Sequence, residues 1–504
     1  MKPALIIILP LLSTFVLTSV HFRTLQTSQP QPSRQSARQP SRKIQLTPCG
    51  PADNSANVRC GQYEVFENRA AKAGRKIKLN IVVLPALTTQ PAPDPVFFIS
   101  GGPGQGAPGA ARDGSAGWMQ RLRRERDLVF VDQRGTGQSH QLECDLYGDD
   151  AQVQNYFNDL FPVDKVRACR KELEKSADLK LYTTPIAMDD LDEVRGALGY
   201  AKINLQGGSY GTLAALQYLR QHPEHVRSVV LAGAITPAAK MPLHFAKGAH
   251  DAMEKLIADC AVDETCRTAF PKLKTEFAAV LARFDKGAVS FEMAHPVSKT
   301  RQRVSLSRGV FVERLRLMLY NLPAASLVPL LIHSAAQGDF APFGTMALAR
   351  TRGAAESLAM GMYLTVTCSE FAAAITEDEI KRETSGTFLG DYRTRNHLQA
   401  CQAWPRANIP AGYYTAVKSD VPVLILSGEL DPATPLHFGQ GAAQSLSHSR
   451  QVLIRNEAHG YGSPCLRNLV AEFITKGSAK ELDTACVALL RRPPFATELP
   501  AQYR

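Results

Sequence analysis

The chain alternates between short apolar runs and amphipathic stretches, a pattern that predicts alternating strands and helices. Two continuous apolar runs, Val96–Ile99 and Leu128–Val131, stop at turns that contain glycine and are typical of strands buried on both faces of a sheet. The same pattern predicts further strands at Ile203–Leu205, Val229–Leu231, Val423–Leu426 and Val452–Ile454. Their order along the chain predicts a mostly parallel sheet with helices on both faces, which is the α/β class.

Other elements follow from periodicity and helix-end signals. We predict a helix over Asp189–Leu198, because acidic residues crowd its first turn and apolar residues recur on one face. A second helix is predicted over Thr212–Arg220 and should end near Pro223. Apolar and polar residues alternate over Ile77–Val83, which predicts a half-buried strand at the edge of the sheet.

The strand–helix rhythm is lost over residues 237–418, which we call the inserted segment. Its pattern is mainly helical, and Phe311–Tyr320 and Leu327–Ala335 are apolar enough to be packed helices. We therefore predict a helical cap inserted between two parts of one α/β core, residues 49–236 and 419–504. Such a cap would lie over the carboxyl ends of the strands.

Composition and charge narrow the class of protein. Hydrophobic residues make up 44% and charged residues 21% of the 504 residues, which is typical of a soluble globular protein. The net charge is +11, but residues 1–48 carry six Lys or Arg and no acid, so the rest holds 52 basic against 47 acidic groups, or +5. This surplus is too small for a phosphate-tracking surface, and we expect no nucleic-acid partner.

The amino-terminal residues are typical of an export signal. Lys2 precedes an apolar run from Ala4 to Val20, so residues 1–20 are either a cleaved signal peptide or an uncleaved anchor. Residues 21–48 are rich in Gln, Ser, Pro and Arg and predict a disordered linker. We expect a secreted or periplasmic protein, or one tethered to the membrane through residues 4–20.

Ten cysteines support an oxidising compartment, because disulfides persist there. They fall into five pairs that are local in sequence: Cys49/Cys60, Cys144/Cys169, Cys260/Cys266, Cys368/Cys401 and Cys465/Cys486. Buried free thiols are the alternative. No CxxC pattern occurs, and His222-Pro223-Glu224-His225 is not HExxH. We therefore expect neither a metal nor a cofactor.

A candidate nucleophile lies in Gly207-Gly208-Ser209-Tyr210-Gly211, which matches G-x-S-x-G. The motif follows a predicted strand and opens a predicted helix, the context in which Ser209 would lie on a sharp turn. Glycines at 207 and 211 would remove Cβ atoms that clash in such a turn. A structural Gly-Ser turn is the alternative.

A serine nucleophile needs a base and an orienting acid, which follow it in the order acid, then histidine. Asp431 and His459 each follow a predicted strand, where active sites of open sheets form. Glu429 is a rival acid, and His437 and His448 are nearby rival bases.

The loop after the first predicted parallel strand supplies candidate oxyanion donors. Ser100-Gly101-Gly102-Pro103-Gly104 follows Val96–Ile99 directly. We expect the backbone N–H groups of Gly102 and Tyr210 to face a developing oxyanion. A glycine-rich turn without function is the alternative.

These motifs together resemble a known family. Gly101–Gly104, Asp132–Ser139 and Gly207–Thr212, with Gly428–Pro432 and Ala458–Gly460, resemble the prolyl and tripeptidyl aminopeptidase branch of the α/β-hydrolases over residues 49–490. The exported, cysteine-rich tripeptidyl aminopeptidases are more similar than the cytosolic prolyl iminopeptidases. Ser100 departs from the pattern, because prolyl iminopeptidases usually carry His there.

The resemblance implies an α/β-hydrolase fold and a serine aminopeptidase that acts on peptides with a free N-terminus. Glu370 resembles the acid that reads the amine in this family, and a Cys368–Cys401 disulfide would fix its position. Asp132 and Arg134 are expected to brace their loop rather than touch substrate. An esterase or amidase for small blocked substrates is the alternative.

Overall fold

The computed structural model describes residues 44–49, 57–107 and 117–500. The predicted signal segment and residues 21–43 of the predicted linker lie outside the described residues. The end of that linker differs from the expectation, because residues 47–48 form a short strand against Arg59 and Cys60. Ile44 and Leu46 pack against the core there, so this part of the predicted linker belongs to the folded chain.

Nine strands form the main sheet. They are β1 (Thr47–Pro48), β2 (Arg59–Phe66), β3 (Lys76–Leu84), β4 (Val96–Ile99), β5 (Leu128–Val131), β6 (Ile203–Gly208), β7 (Val226–Ala232), β10 (Val423–Gly428) and β11 (Ser449–Ile454), while β8 (Val289–Ala294) and β9 (Arg301–Leu306) form a separate antiparallel hairpin. The order across the main sheet is β1-β2-β3-β5-β4-β6-β7-β10-β11. The six strands from β5 to β11 run parallel, as the continuous apolar runs predicted.

The expectation of an edge strand at Ile77–Val83 is wrong. This segment is β3, which lies between β2 and β5 and pairs antiparallel with both. Its residues are buried from Leu79 onward, including Val82, so the alternation that suggested one exposed face ends halfway along the strand. The two-residue strand β1 occupies the edge instead.

Helices cover both faces of the main sheet. The first four are α1 (Gly117–Arg123), α2 (Val163–Leu173), α3 (Thr184–Ala197) and α4 (Tyr210–Gln221). Leu191 of α3 and Leu213 of α4 belong to the apolar cluster on one face, with Leu205 of β6. Leu122 of α1 lies in the cluster on the other face, with Leu424 of β10. The parallel strands from β5 to β10 are therefore covered on both sides, whereas β11 lies at the edge of the sheet and exposes Leu453.

Helix α3 begins five residues before the predicted start at Asp189, with Pro185 in its first turn. The acidic residues that suggested a start at Asp189 lie inside the helix. They do not mark its first turn, and one of them, Asp190, bonds to a side chain from another segment. Asp190 is buried and accepts hydrogen bonds from the Arg134 guanidinium at 2.6 and 2.9 Å. Arg134 also donates to the carbonyls of Glu67 and Leu181, so it braces three segments of chain, as expected.

The inserted segment is mainly helical, and its hairpin β8–β9 was not predicted. Its helices are α5 (Phe245–Val262), α6 (Glu264–Ala269), α7 (Leu273–Arg283), α8 (Arg308–Met318), α9 (Leu322–Ala325), α10 (Val328–Ala336), α11 (Ala341–Ser357), α12 (Met360–Val366), α13 (Glu377–Thr384) and α14 (Tyr392–Gln402). A π-helical turn, Thr367–Phe371, continues α12. The helices α15 (Leu436–Ala443) and α16 (Pro464–Lys476) then complete the second part of the core.

All ten cysteines form disulfides, and the pairing is the local one predicted. The five bonds are Cys49–Cys60, Cys144–Cys169, Cys260–Cys266, Cys368–Cys401 and Cys465–Cys486. The alternative of buried free thiols is therefore wrong. Each bond joins segments that are close in sequence, so together they fasten neighbouring elements of the fold to one another.

The bonds tie helices to the chain beside them. Cys169 lies half-buried on α2 and is bonded to the segment that follows β5, while the buried Cys266 of α6 is bonded to the end of α5. The Cys368–Cys401 bond joins the π-helical turn to α14. Five disulfides favour an oxidising environment for the folded chain.

None of the helices within residues 44–49, 57–107 and 117–500 combines the length and apolar character needed to cross a bilayer.

The buried pair of Arg134 and Asp190 gives a prediction about stability. Arg134→Met should lower the free energy of unfolding by about 3–5 kcal/mol, because it leaves Asp190 buried with Arg69 as its one remaining cation among the described residues. The exposed Arg395, which pairs with Glu377, provides the control: Arg395→Met should cost about 1 kcal/mol or less. Urea denaturation measures both, and equal losses would contradict this account of the core.

Candidate active site

Ser209 lies in a strained turn between β6 and α4. Its backbone has φ 54° and ψ −125°, a left-handed conformation that costs a non-glycine residue about 1–3 kcal/mol. Three hydrogen bonds hold the turn: the Ser209 N–H donates to the carbonyl of Ala232, and the N–H and hydroxyl of Thr212 donate to the carbonyl of Ser209. The sequence therefore predicted this turn correctly from the glycines around the serine.

The glycines at 207 and 211 are required by close backbone contacts. A Cβ atom on Gly207 would lie 2.3 Å from the carbonyl oxygen of Gly211, and one on Gly211 would lie 2.2 Å from the carbonyl oxygen of Ile99. Both distances are far shorter than a van der Waals contact, so larger residues would push the turn apart. This packing sets the serine at the carboxyl end of β6, beside the end of β4.

The glycine-rich loop after β4 lies directly against the serine. A Cβ atom on Gly101 would lie 3.2 Å from the Cβ atom of Ser209. Gly102 has φ +106°, and it lines the same cavity as Ser209 and Tyr210. The carbonyl of Gly104 accepts a hydrogen bond of 3.0 Å from the N–H of Ala359, so the inserted segment holds this loop in place.

His459 and Asp431 form a close pair at the ends of β10 and β11. The Nδ1 atom of His459 lies 2.7 Å from Oδ2 of Asp431, whose side chain is fully buried. Oδ2 also accepts from the hydroxyls of Thr434 and Tyr461, while Oδ1 accepts from the N–H groups of Ala433 and Thr434. Several donors thus hold the carboxylate of Asp431. Because Nδ1 of His459 contacts this carboxylate, Nε2 is the ring nitrogen of His459 that can act on another group.

The ionisation of Asp431 reflects two opposing effects. Burial raises the pKa of this carboxyl, but the neighbouring His459 and the hydrogen bonds from Thr434 lower it further than burial raises it. The pKa of Asp431 therefore lies below its ordinary value. An ionised carboxylate in this position stabilises a positive charge on the imidazole.

The rival groups lie elsewhere in the structure. Glu429 is exposed, whereas Asp431 is buried beside the imidazole. His437 is exposed and packs against Phe438, and His448 contacts the carbonyl of Asp420. The structure therefore brings together the acid and the histidine that the strand ends indicated.

Tyr320 was missed by the sequence analysis, although it holds His459 from the inserted segment. Its carbonyl accepts a hydrogen bond of 2.9 Å from the His459 N–H, and its ring packs edge-on against the imidazole at 5.1 Å. No local motif marks Tyr320, because its role depends on how the inserted segment packs on the core. The sequence indicated only weakly that Tyr461 belongs to the site, because it lies two residues after His459.

A cavity of about 1010 Å³ joins these groups. Ser209, Tyr210 and His459 line it from the core, while Tyr320 and Leu358 line it from the inserted segment. A pocket of this size accommodates a short peptide or a similar small molecule. The arrangement of a half-buried serine on the cavity wall, a histidine and a buried aspartate can perform nucleophilic acyl transfer.

Comparisons with known proteins agree with this geometry. A family model described as the alpha/beta hydrolase fold matches residues 94–277, which include Ser209. A second model, described as TAP-like protein, matches residues 386–486, which include Asp431 and His459. The chain has the α/β-hydrolase fold. Its carboxy-terminal part is similar to the TAP-like model over residues that include two of the motifs on which the resemblance rested, Gly428–Pro432 and Ala458–Gly460.

The relatives of this α/β-hydrolase include peptidases. Serine protease Hip1 of Mycobacterium tuberculosis is 24% identical over 478 residues, which cover 88% of this chain and 91% of the relative. Tripeptidyl aminopeptidase of Streptomyces lividans is 30% identical over 201 residues, 36% of each chain. Proline iminopeptidase of Neisseria gonorrhoeae is 30% identical over 139 residues, 28% of this chain and 32% of the relative. The protein is accordingly a serine hydrolase.

Glu370 does not lie where an amine-reading acid of this α/β-hydrolase should lie. Its side chain is fully buried and is not part of the cavity wall. Its oxygens accept hydrogen bonds from the N–H and hydroxyl of Thr184, each at 2.6 Å, and from the hydroxyl of Tyr413. The Thr184 hydroxyl also contacts the hydroxyl of Tyr210 at 2.7 Å. This geometry corrects the expected role: Glu370 holds the residue after the serine rather than substrate.

The predicted cysteines lie outside the active site. All ten belong to the described residues, and none of them lines the cavity. Cys169 and Cys266, for example, lie on α2 and α6, and each is bonded to its predicted partner. Cys368 and Cys465 are adjacent in sequence to residues of the cavity wall, Thr367 and Leu466 respectively. A cysteine in a disulfide is not a thiolate nucleophile, so these residues stabilise the fold.

His222 and His225, which the sequence analysis judged not to form a metal-binding motif, lie beside Asp192 in a cluster of potential ligands. Ligand atoms of Asp192, His222 and His225 lie within 4.8 Å of one another, on α3 and just after α4. Asp192 already accepts hydrogen bonds from Arg195, Tyr218 and His225 at 2.7 Å each. These groups therefore form a hydrogen-bonded network on the helical face of the core, away from the cavity-lining residues.

The burial of Glu370 predicts how stability depends on pH. Burial raises its pKa to about 6, against the hydrogen bonds from Thr184 and Tyr413 that lower it. The folded state favours the protonated form of Glu370. The stability that this residue contributes is therefore fully present below its pKa in the unfolded chain and is lost as the pH rises through about 6. Compared with Glu370→Gln, the wild type should lose about 2 kcal/mol of unfolding free energy between pH 4 and 7.

The control for this measurement is Glu377→Gln. Glu377 is exposed, and its hydrogen bond with Arg395 lowers its pKa, so the wild type should not lose stability relative to this variant as pH rises. Chemical denaturation at several pH values gives both comparisons. A wild type that gains stability over Glu370→Gln between pH 4 and 7 would show that the carboxylate is stabilised as an anion, contrary to this account.

Proposed function

We propose that this serine hydrolase is an exported peptidase that releases one to three residues from the free N-terminus of short peptides. The observation that carries the proposal is the strained serine at the carboxyl end of β6, which shares one cavity with a histidine paired to a buried aspartate. The relatives named tripeptidyl aminopeptidase, proline iminopeptidase and serine protease support a peptide substrate.

In the proposed mechanism, the hydroxyl of Ser209 attacks the carbonyl carbon of the scissile bond while His459 accepts its proton. Asp431 holds the imidazole through Nδ1 and stabilises the imidazolium that forms. The N–H groups of Gly102 and Tyr210 donate to the oxyanion of the tetrahedral intermediate. His459 then protonates the leaving amine, and water, deprotonated by the same imidazole, hydrolyses the acyl-enzyme.

The inserted segment supports a preference for short substrates. Its residues line the cavity opposite Ser209, and its Tyr320 and Ala359 bond directly to the histidine loop and the glycine-rich loop. A folded protein cannot present a chain to a serine enclosed in this way, whereas the end of a short peptide can enter. The five disulfides and the predicted signal segment support export.

A specific observation also favours a second function, hydrolysis of small blocked esters or amides. Within the described residues, Glu313 is the single carboxylate on the cavity wall, and Arg316 and Arg393 both bond to it. An ammonium group needs an anionic partner once it is desolvated. The cavity therefore offers a free amine little recognition from side chains, and substrate comparison must decide between the two functions.

The catalytic roles predict a sharp difference between two neighbouring acids. Asp431→Asn should lower kcat about 10³-fold or more, because the imidazole then loses its ionised partner and its correct tautomer. Glu429→Gln, the exposed rival two residues away, should stay within about twofold of the wild type. Hydrolysis of an arylamide substrate measures both. Similar losses in the two variants would contradict the assignment of Asp431.

The requirement for a free N-terminus is tested with matched substrates. Pro-, Ala- and Ala-Ala-Pro-arylamides should each be cleaved about tenfold faster, as kcat/KM, than their acetylated counterparts, because the acetyl group enlarges the end of the substrate that the enclosed cavity must admit. The three lengths show how many residues are released. Equal or faster cleavage of the acetylated substrates would contradict the aminopeptidase proposal and favour the esterase or amidase.

A further inference from the structure

The inserted segment places three buried arginines on one part of the cavity wall. Arg314 and Arg316 belong to α8 and Arg393 belongs to α14; we call these three residues the arginine cluster. They are 2%, 1% and 6% exposed, respectively. Guanidinium groups stay charged in proteins, so three positive charges lie in a largely desolvated site.

One carboxylate balances part of this charge. Glu313 accepts hydrogen bonds from Arg316 at 3.0 and 2.7 Å and from Arg393 at 2.5 Å. Burial raises the pKa of Glu313, but the two arginines lower it to about 2, so Glu313 is ionised. The cluster and Glu313 together therefore carry a net charge of about +2.

Two donors of the cluster remain unused among the described residues. Arg314 donates to the carbonyl of Tyr156 at 2.9 Å, forms no ion pair with a described carboxylate, and its Nε atom is buried without a partner. Arg393 donates to Glu313 and to the hydroxyl of Tyr363, but its Nε atom is also buried without a partner. A buried, unpaired donor costs about 1–3 kcal/mol, and more when it is charged.

The cluster is close to the catalytic histidine. Arg316 donates to the hydroxyl of Tyr320 at 2.7 Å, and its guanidinium carbon lies 5.1 Å from the centre of that ring. The same ring lies 5.1 Å from the imidazole of His459. The distance from the guanidinium of Arg316 to the imidazole of His459 is therefore at most the sum of these two distances. A substrate of a few residues spans such a distance.

We infer that the arginine cluster is a subsite for a substrate carboxylate. A carboxylate bound against these side chains would neutralise part of the surplus charge and form charge-assisted hydrogen bonds with the guanidinium groups that line the cavity. The carboxylate has two sources in a peptide: an acidic side chain, or the α-carboxylate at the carboxy-terminal end. The inference rests on the proposed peptidase function for the identity of the substrate, but not for the binding of the anion itself.

Binding is tested first, without turnover. The Ser209→Ala protein is titrated calorimetrically with glutarate and with glutaramide, its neutral counterpart of the same length. We expect glutarate to bind at least about tenfold more tightly, and this difference to disappear in Ser209→Ala with Arg314→Met. Equal binding of the two compounds, or no binding of glutarate, would overturn the inference.

A matched control and a second variant keep the result specific. Arg352 lies on α11 and pairs with Asp150 outside the cavity wall, so adding Arg352→Met should preserve the difference between the two compounds. If Arg314→Met fails to fold, Arg393→Met serves in its place. A difference that survives the loss of either cluster arginine would place the anion elsewhere and overturn the assignment.

Turnover then identifies the source of the carboxylate. Ala-Ala-Glu-arylamide is compared with Ala-Ala-Gln-arylamide, and tetra-alanine is compared with its carboxamide. The acidic member of one pair should show a kcat/KM at least about tenfold higher, and that pair names the source. Turnover without preference in either pair would overturn the inference while leaving the peptidase function intact. Glutarate binding without turnover of any substrate would support the subsite and contradict the peptidase function.

Discussion

The backbone at Ser209 is the constraint on which the active site depends. A serine with φ 54° is stable only where its surroundings prevent relaxation, and here two glycines allow β4, β6 and α4 to meet without side chains between them. The contact between Gly211 and the carbonyl of Ile99 joins the turn to the neighbouring strand. The strand order, the helix packing and the position of Ser209 therefore all depend on the close approach of β4, β6 and α4.

The inserted segment completes the site rather than merely covering it. Tyr320 bonds to the backbone of His459, Ala359 bonds to the glycine-rich loop, and Glu370 holds Thr184 beside Tyr210. Each of these contacts crosses from the inserted segment to the core. The Cys368–Cys401 bond ties the turn that carries Glu370 to the helix that carries Arg393. Shape, charge and catalytic geometry of the cavity are consequently coupled.

The parts of the fold that depend on local pattern could be predicted from sequence. Continuous apolar runs located the parallel strands, and glycine spacing around Ser209 located its turn, because both leave a signal within a few consecutive residues even where the contacts, such as that between Gly211 and Ile99, are long-range. The start of α3 could not be predicted, since its acidic residues bond to other side chains and not to the helix end: Asp190 accepts from Arg134, and Asp189 contacts His222. The edge position given to β3 was wrong because β3 pairs on both sides, with the preceding strand β2 and with the more distant β5.

The distinction between local patterns and the packing of distant segments also explains which residues of the site could be predicted. Asp431 and His459 follow strand ends, so their meeting could be inferred from the parallel order of β10 and β11. Glu370 was assigned from a resemblance in a short motif, which cannot show which way a buried side chain faces. Tyr320 and the arginine cluster had no motif at all, because their roles arise from the packing of distant helices around one cavity.

Covalent labelling tests the central claim, that Ser209 is the nucleophile, most directly. The protein is treated with an activated phosphonate, digested, and examined by mass spectrometry. The account predicts one label per chain, on the peptide that contains Ser209, and neither label nor hydrolysis in a folded Ser209→Ala variant. A label on another residue, or hydrolysis that survives in Ser209→Ala, would contradict it.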